Sequence, residues 1–223
     1  MNIWSAREKS LHWLEHELRP ESLHLQDGFD YLGNIIELFE KLGRNAGESE
    51  AGQFCRISAI TLAKYSHLLL GNYSLILDGL AQEAGALLRP LIETYELLVY
   101  LRQDKSRITE VLEGESPSAG IIGKRISGDY QDLRKHLNDN ASHFSYKTDS
   151  VKHLLDQNAR IQPIPDLSLM VLRNNLKLLN AFQVFVLFEA VNCLFVIGFD
   201  ANPLTNKVEK WRDTSIEIFS REK

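Results

Sequence analysis

The apolar run AFQVFVLFEAVNCLFVIGF, at positions 181–199, constrains the fold more than any other part of the chain. Its length is close to the ~20 residues that a helix needs to cross a membrane. However, Gln183, Glu189 and Asn192 interrupt the run, and polar groups near the centre of a span are costly in lipid. No basic residue flanks the run closely, and Asp200 follows it directly. These features favour the buried central helix of a bundle over a membrane span.

Most of the remaining chain has the apolar spacing of amphipathic helices, and no alternating strand pattern competes with it. The 13 Gly and 6 Pro are few for a sheet-based chain of 223 residues, because turns would recur every ~8–12 residues. We therefore predict an all-α fold, a bundle of long antiparallel helices. A single helical-bundle domain is expected over residues 1–223, in which residues 1–20 can form a peripheral N-terminal helix.

Capping and turn residues predict where the individual helices begin and end. Pro20 closes the first helix, Ser22 can cap the second, and Gly71-Asn72 is expected to break the third from the fourth. The last long helix is predicted to begin at Asp166 or Ser168 and to reach Phe199. The other predicted helices cover residues 2–18, 22–42, 48–70, 73–104, 124–138, 151–157 and 206–220, and residues 112–123 form a connection.

The stretch ALLRPLIETYELLVYL, at positions 86–101, places charged residues inside an otherwise apolar helix. Arg89, Glu93, Glu96 and Tyr100 share one stripe at helical spacing, and apolar residues flank that stripe on both sides. If the helix is central, these charges are largely enclosed. They must then find partners, because an isolated buried charge is very unfavourable.

Glu189 and Asn192 interrupt the later apolar run in the same way, which suggests that the two helices face each other in one core. One interpretation is a buried polar network that fixes the register of the helices. The other is a pocket that binds a small polar ligand. The residues that would line this pocket are Arg89, Glu93, Tyr100, Glu189 and Asn192.

Two histidine-containing segments have features of a catalytic or a metal site. His143 lies in the polar segment LNDNASHFSYKT, where a neighbouring carboxylate would make it a candidate general base near neutral pH. His12, Glu15 and His16 have the spacing of an H-x-x-E-H zinc motif, but a catalytic zinc needs a third protein ligand. The chain also lacks a P-loop and a G-x-G-x-x-G segment. We expect neither a metal nor a cofactor.

The net charge and the two cysteines indicate which partners and which cellular compartment to expect. A net charge of −5 argues against non-specific coating of nucleic acid. The basic residues from Lys124 to His136 fit a solvated helix face, with an RNA-contact patch as the alternative. Cys55 and Cys193 lie in apolar helical patterns, which indicates buried free thiols in a reducing compartment. The charged N-terminus has no apolar signal core, so we expect a cytoplasmic protein that does not associate with a membrane.

The order of these features resembles a group of bacterial all-helical proteins that is similar in turn to the HEPN superfamily of helical bundles. The resemblance rests on Arg89 and Glu93, an Arg-x-x-x-Glu pair, followed downstream by DYQDLRKHLNDNASHFS with His143. It covers about residues 55–200. It implies a helical bundle that often dimerises and, in active members, a metal-independent ribonuclease of defence or toxin systems. Active members pair an arginine with a nearby histidine, whereas eight residues separate Arg134 from His143 here.

Beside a metal hydrolase built on His12, Glu15 and His16, two functional hypotheses stand. The first is a non-catalytic helical regulatory or interaction module, expected to be a homodimer, with a small polar ligand near the Arg/Glu cluster. The second is a HEPN-like ribonuclease with RNA as its partner. In that case His143 would accept the proton of a ribose 2′-hydroxyl, and Arg89 or Arg134 would stabilise the charge that develops on the phosphorus centre.

Overall fold

A computed structural model describes residues 4–128 and 167–220 and the isolated residues 155, 158 and 160. Helices are the regular elements of this described part, which confirms the predicted all-α bundle of long antiparallel helices. We number them α1 (Ser5–Glu15), α2 (Arg19–Ala46), α3 (Glu50–Leu77), α4 (Ala81–Gln103), α5 (Ile108–Leu112), α6 (Ala119–Arg125), α7 (Leu169–Val196) and α8 (Asn202–Ser220). A short 3₁₀ turn, Lys105–Arg107, leads from α4 into α5.

Short connections reverse the chain from α2 to α3, from α3 to α4 and from α7 to α8, and capping residues explain where α3 and α7 start. Ser49 caps α3, since its hydroxyl accepts a hydrogen bond from the Gly52 amide at 3.1 Å. Ser168 caps α7 in the same way, with the Val171 amide as donor at 3.2 Å. Gly79 has a φ of +77°, a conformation that glycine adopts without steric cost, and it turns the chain from α3 into α4.

The predicted break at Gly71-Asn72 is wrong, because α3 continues through both residues to Leu77. Asn72 is buried inside α3, and its amide donates a 2.6 Å hydrogen bond to the Ala84 carbonyl of α4. A Cβ at Gly71 would lie only 3.3 Å from the Leu87 side chain, so the glycine lets the two helices approach closely. Tertiary contact between α3 and α4, rather than a turn, accounts for this pair of residues.

Two further predicted boundaries differ from the structure. Helix α2 begins at Arg19 with Pro20 in its first turn, a position that proline tolerates, so Ser22 is buried in the helix rather than capping it. Helix α6 occupies part of the predicted connection at 112–123 and ends at Arg125, so the helix predicted from Lys124 does not continue through residue 128. The rest of that prediction, and the loop and helix predicted at 139–157, fall almost wholly outside the described residues.

The core lies between α2, α3, α4 and α7. Helix α3 contacts α2, α4 and α7, and α7 also contacts α2, α4 and α8. Helix α1 is fastened to the end of α3, because Arg7 makes a bidentate ion pair with Asp78 at 2.6 and 2.7 Å. Among the described helices, α7 is long and apolar enough to cross a membrane, and 61% of its most apolar window is buried inside the bundle.

Candidate functional site

The hydrogen bonds of α4 and α7 divide the five predicted ligand-binding residues into three groups. Arg89 and Glu93 pair with each other, Nε to Oε1 at 2.8 Å, one turn apart on α4. Their side chains are 39% and 29% exposed, so the prediction that these two charges are enclosed is wrong. The pair is therefore partly in contact with solvent, and i, i+4 pairs at such positions stabilise a helix by only ~0.3–0.5 kcal/mol.

Tyr100 belongs to a second group, which we call the Tyr100 cluster: Tyr100, Arg107, Glu110 and Arg125. The Tyr100 side chain is fully buried, and its hydroxyl donates to Glu110 at 2.9 Å while accepting from Arg125 at 2.7 Å. The Arg107 guanidinium lies 4.1 Å from the ring centroid and also donates to the Tyr100 carbonyl at 2.8 Å. The cluster thus joins the end of α4 to α5 and α6.

Glu96 lies one turn before Tyr100 and is almost fully buried, as the sequence predicts for this stripe. Its carboxylate is packed against the backbone at Gly128, where a Cβ would come within 2.6 Å of Oε1. Gly128 is the last residue of the first described range. Glu96 and Tyr100 therefore both face the short helices that follow α4. Glu189, a residue of α7, lies against another side of α4.

The third group contains Glu189 and Asn192 of α7. Glu189 is 4% exposed and pairs with Arg102 of α4, a residue that the sequence analysis did not select. Asn192 lies three residues further along α7, and its amide acts to lower the pKa of this carboxylate. Burial raises the pKa of Glu189, and the hydrogen bond from Arg102 opposes that increase. The predicted facing of α4 and α7 is correct, but the arginine that meets Glu189 is Arg102.

Cys193 lies beside this pair, with its sulfur 3.9 Å from Glu189 Oε1. Burial raises the pKa of the Cys193 thiol far above its ordinary range, and the adjacent carboxylate adds to the effect. The thiol therefore stays protonated near neutral pH and is a poor nucleophile. Cys55 is also buried and free, as predicted.

The remaining candidate residues give no assembled catalytic or metal site in the described ranges. His12 and His16 contact each other at the end of α1, with their ring centroids 4.5 Å apart and their planes tilted by 57°. Within the described residues, no three metal-binding side chains come together around them or elsewhere. Arg134 and His143 lie outside the described residues. The ligand-binding and catalytic assignments therefore stay predictions.

A buried polar layer between α2, α7 and α8 was missed by the sequence analysis. His24 of α2 stacks on Trp211 of α8 with 4.4 Å between the ring centroids and 8° between the planes. The Gln183 amide donates to the Leu25 carbonyl at 3.1 Å, and the Asn180 amide donates to the Ser215 hydroxyl. These residues are spread over three helices, so no local spacing in the sequence could reveal that they meet.

We expect the free energy of unfolding to fall as the pH drops below ~6.5, the ordinary pKa of histidine. Burial lowers the pKa of His24, and Asp27 opposes this only in part. The unfolded chain therefore binds the proton first, so the stability from neutral His24 is present above pH ~6.5 and is lost as the pH falls through the folded pKa. Urea unfolding followed by tryptophan fluorescence at several pH values measures the slope, up to ~1.4 kcal/mol per pH unit.

The control for this prediction is a pair of histidine variants. His24→Phe keeps a flat ring on Trp211 and should remove the His24 part of the slope, whereas His67→Gln, at an exposed position of α3, should keep it. Identical slopes in the wild type and His24→Phe would show that His24 does not govern the pH dependence.

The outer face of α7 carries the most unusual surface feature of the described chain. Side chains spaced alternately three and four residues apart form one charge-free row along almost the whole helix. We call this row the α7 stripe: Val171, Asn174, Leu178, Ala181, Phe185, Phe188, Asn192 and Phe195. Leu178, Phe185 and Phe195 are 43%, 43% and 41% exposed.

A groove of about 340 Å³ runs beside the α7 stripe, between α7 and α8. Ala181 and Phe185 of the stripe form one wall, and Ile216 of α8, which is 60% exposed, forms part of the other. Two cationic side chains, Lys177 and Arg212, border the groove, and Arg212 lies 5.4 Å from the centroid of the Phe188 ring. The stripe and groove together still make a broad, mainly apolar surface with no acidic group among the residues that line the groove. Large exposed apolar patches of this kind mark interaction sites.

Comparison with protein-family models, curated proteins and solved structures finds no match to this chain. The likeness to HEPN bundles thus rests on the quoted residues alone, and the α7 stripe and the paired charges are the features from which a function can be argued.

Proposed function

We propose that this protein is a cytoplasmic, non-catalytic helical interaction module that works as a homodimer. The observation that supports this most directly is the α7 stripe, a charge-free row on the exposed side of the most apolar helix. Exposing such a row to water is unfavourable, at ~25 cal/mol for each Å² of apolar surface. A protein partner that covers the stripe would recover this free energy.

The polar groups also favour an interaction module over an enzyme. Arg89 is held by Glu93, and Glu189 by Arg102, so these charges mainly neutralise each other within the bundle. The Tyr100 cluster joins three helices in the same manner. Catalytic groups, by contrast, must converge on a site that a substrate can reach. These networks fit the role of holding helices in register.

Sedimentation velocity should show the wild-type protein as a dimer at micromolar concentration, and the double variant Leu178→Glu/Phe185→Glu as a monomer. Both substituted positions are exposed, so charge is added to the stripe without filling the core. A matched double variant on another exposed face, Ile60→Glu/Leu70→Glu of α3, should stay dimeric. A wild-type protein that remains monomeric at ~100 μM, where most specific interfaces are occupied, would refute the proposal.

The alternative function, a HEPN-like metal-independent ribonuclease, is tested on RNA. Wild-type and His143→Ala protein are incubated with a labelled mixed RNA pool, with and without EDTA. The interaction module predicts intact RNA in every lane. Cleavage by the wild type that persists in EDTA and is lost in His143→Ala would establish the ribonuclease instead and give His143 the role of general base.

A further inference from the structure

The class of side chain along the α7 stripe, apolar or asparagine, is symmetric about position 183. Positions equally far from 183 hold Ala181 and Phe185, then Leu178 and Phe188. The next positions outward hold two asparagines, Asn174 and Asn192. The row ends with Val171 and Phe195. A single helix gains nothing from this arrangement, whereas two copies that run in opposite directions would bring the members of each pair face to face.

We propose that the α7 stripes of two copies pack antiparallel across a two-fold axis near Gln183. The proposal rests on the proposed function and names the surface through which the homodimer forms. A two-fold axis perpendicular to the helix places residue 181 of one copy opposite residue 185 of the other, and so on along the row. A row of side chains that are alternately three and four residues apart is the pattern with which one helix packs against another.

The paired side chains complement each other in size and chemistry. A small side chain, Ala181, lies opposite the large Phe185, which is how facing positions interdigitate without voids. Asn174 lies opposite Asn192 at two places in the interface, and each amide both donates and accepts hydrogen bonds. Matched asparagines of this kind fix the register of paired helices. Both asparagines are exposed in the single chain.

A parallel arrangement fits the same residues less well. Each side chain would meet its own copy, so Ala181 would face Ala181 and leave a gap, while Phe185 and Phe188 would each face a second phenylalanine. Gaps and overfilled layers both lower stability, by ~1 to several kcal/mol each. A lipid surface fits less well again, because the two asparagines would lose their hydrogen bonds with water.

The stripe is long enough for such an interface when its neighbours are included. From 171 to 195 it extends ~36 Å at the helical rise, and a stable dimer covers roughly 800 Å² on each copy. Met170 and Ile216, which are 69% and 60% exposed, lie beside the row and widen it.

Cysteine cross-linking tests the direction and the register together. Asn174→Cys, Asn192→Cys and the double variant are oxidised under mild conditions and run on a non-reducing gel. The antiparallel pairing predicts a covalent dimer for the double variant and monomer for each single variant. The reason is that identical positions lie ~27 Å apart along the axis, whereas a disulfide needs Cα atoms within ~7 Å. The wild type, with its two buried cysteines, is the oxidation control.

Each other outcome is decisive. Cross-linking of either single variant would show parallel or shifted pairing and overturn the inference. A wild-type dimer in sedimentation whose double variant fails to cross-link, although folded by circular dichroism, would place the interface elsewhere and leave the proposed function standing. A monomer in both measurements would refute both. Cosedimentation of the monomer with phosphatidylcholine vesicles would assign the stripe to lipid.

Discussion

Replacing Arg102, whose side chain is 30% exposed, with methionine should lower the free energy of unfolding by up to ~3–5 kcal/mol, because the buried Glu189 charge is left without its cationic partner. Glu189 is 4% exposed, so without Arg102 its carboxylate loses its cationic partner while it stays away from water. Methionine keeps the length of the side chain, which limits any loss of packing. Urea denaturation at pH 7 measures the change.

Two controls separate the charge effect from packing. Arg89→Met makes the same change at another position of α4, in a pair whose two side chains are both partly exposed. It should alter the free energy of unfolding by less than ~1 kcal/mol. The double variant Arg102→Met/Glu189→Met should recover most of the loss, since no buried charge is left. A loss that persists in this double variant would mean that Arg102 acts through packing.

The loss in Arg102→Met should also shrink in acid. Burial raises the pKa of Glu189, so its neutral form is compatible with the fold, and the cost appears as the pH rises through the folded pKa. Stability that depends on neutral Glu189 is therefore complete below the ordinary glutamate pKa of ~4.3. Comparing the variant with the wild type between pH 7 and pH 5 gives the sign directly.

Replacing Gly28 with alanine should lower the free energy of unfolding by ~1–3 kcal/mol, although alanine favours a helix. The added Cβ would lie 2.7 Å from both Gln183 Oε1 and Trp211 Cζ2. These two side chains are buried in the layer between α2, α7 and α8, so neither can move aside without disturbing its neighbours.

Gly33→Ala is the matched control, since it lies in the same helix and nothing lies within 4 Å of its added Cβ. It should stabilise the protein by up to ~1 kcal/mol through helix propensity. The difference between the two variants, measured by thermal and urea unfolding, isolates the close approach at Gly28. Equal shifts in the same direction would show that α2 can move away from α7 and α8.

The sequence predicted the helices well because their stability depends on periodic apolar residues, which are local and visible. It failed at Gly71-Asn72, where a buried hydrogen bond to Ala84 replaces the turn that these residue types usually form. The true break lies at Asp78-Gly79, a dipeptide that marks turns, and the predicted turn lies seven residues too early.

The candidate site was predicted only in part, for a related reason. Helical spacing correctly predicted that Arg89 can pair with Glu93, and it identified Glu189 as a buried charge. It could not decide which arginine of α4 meets Glu189, because that depends on how the two helices are rotated and aligned. The Tyr100 cluster brings together residues from three helices and a turn, so only the folded chain shows it.

The two buried cysteines allow the opening of the helix bundle to be measured in the unmodified protein. Cys193 lies at the Arg102–Glu189 pair between α4 and α7, and Cys55 lies where α3 packs against Gly43 of α2. A thiol reagent can reach either sulfur only while the surrounding helices are apart. Pulsed labelling with mass spectrometry therefore follows two helix contacts separately in the unmodified chain, and the order in which the two thiols react gives the sequence in which the bundle opens.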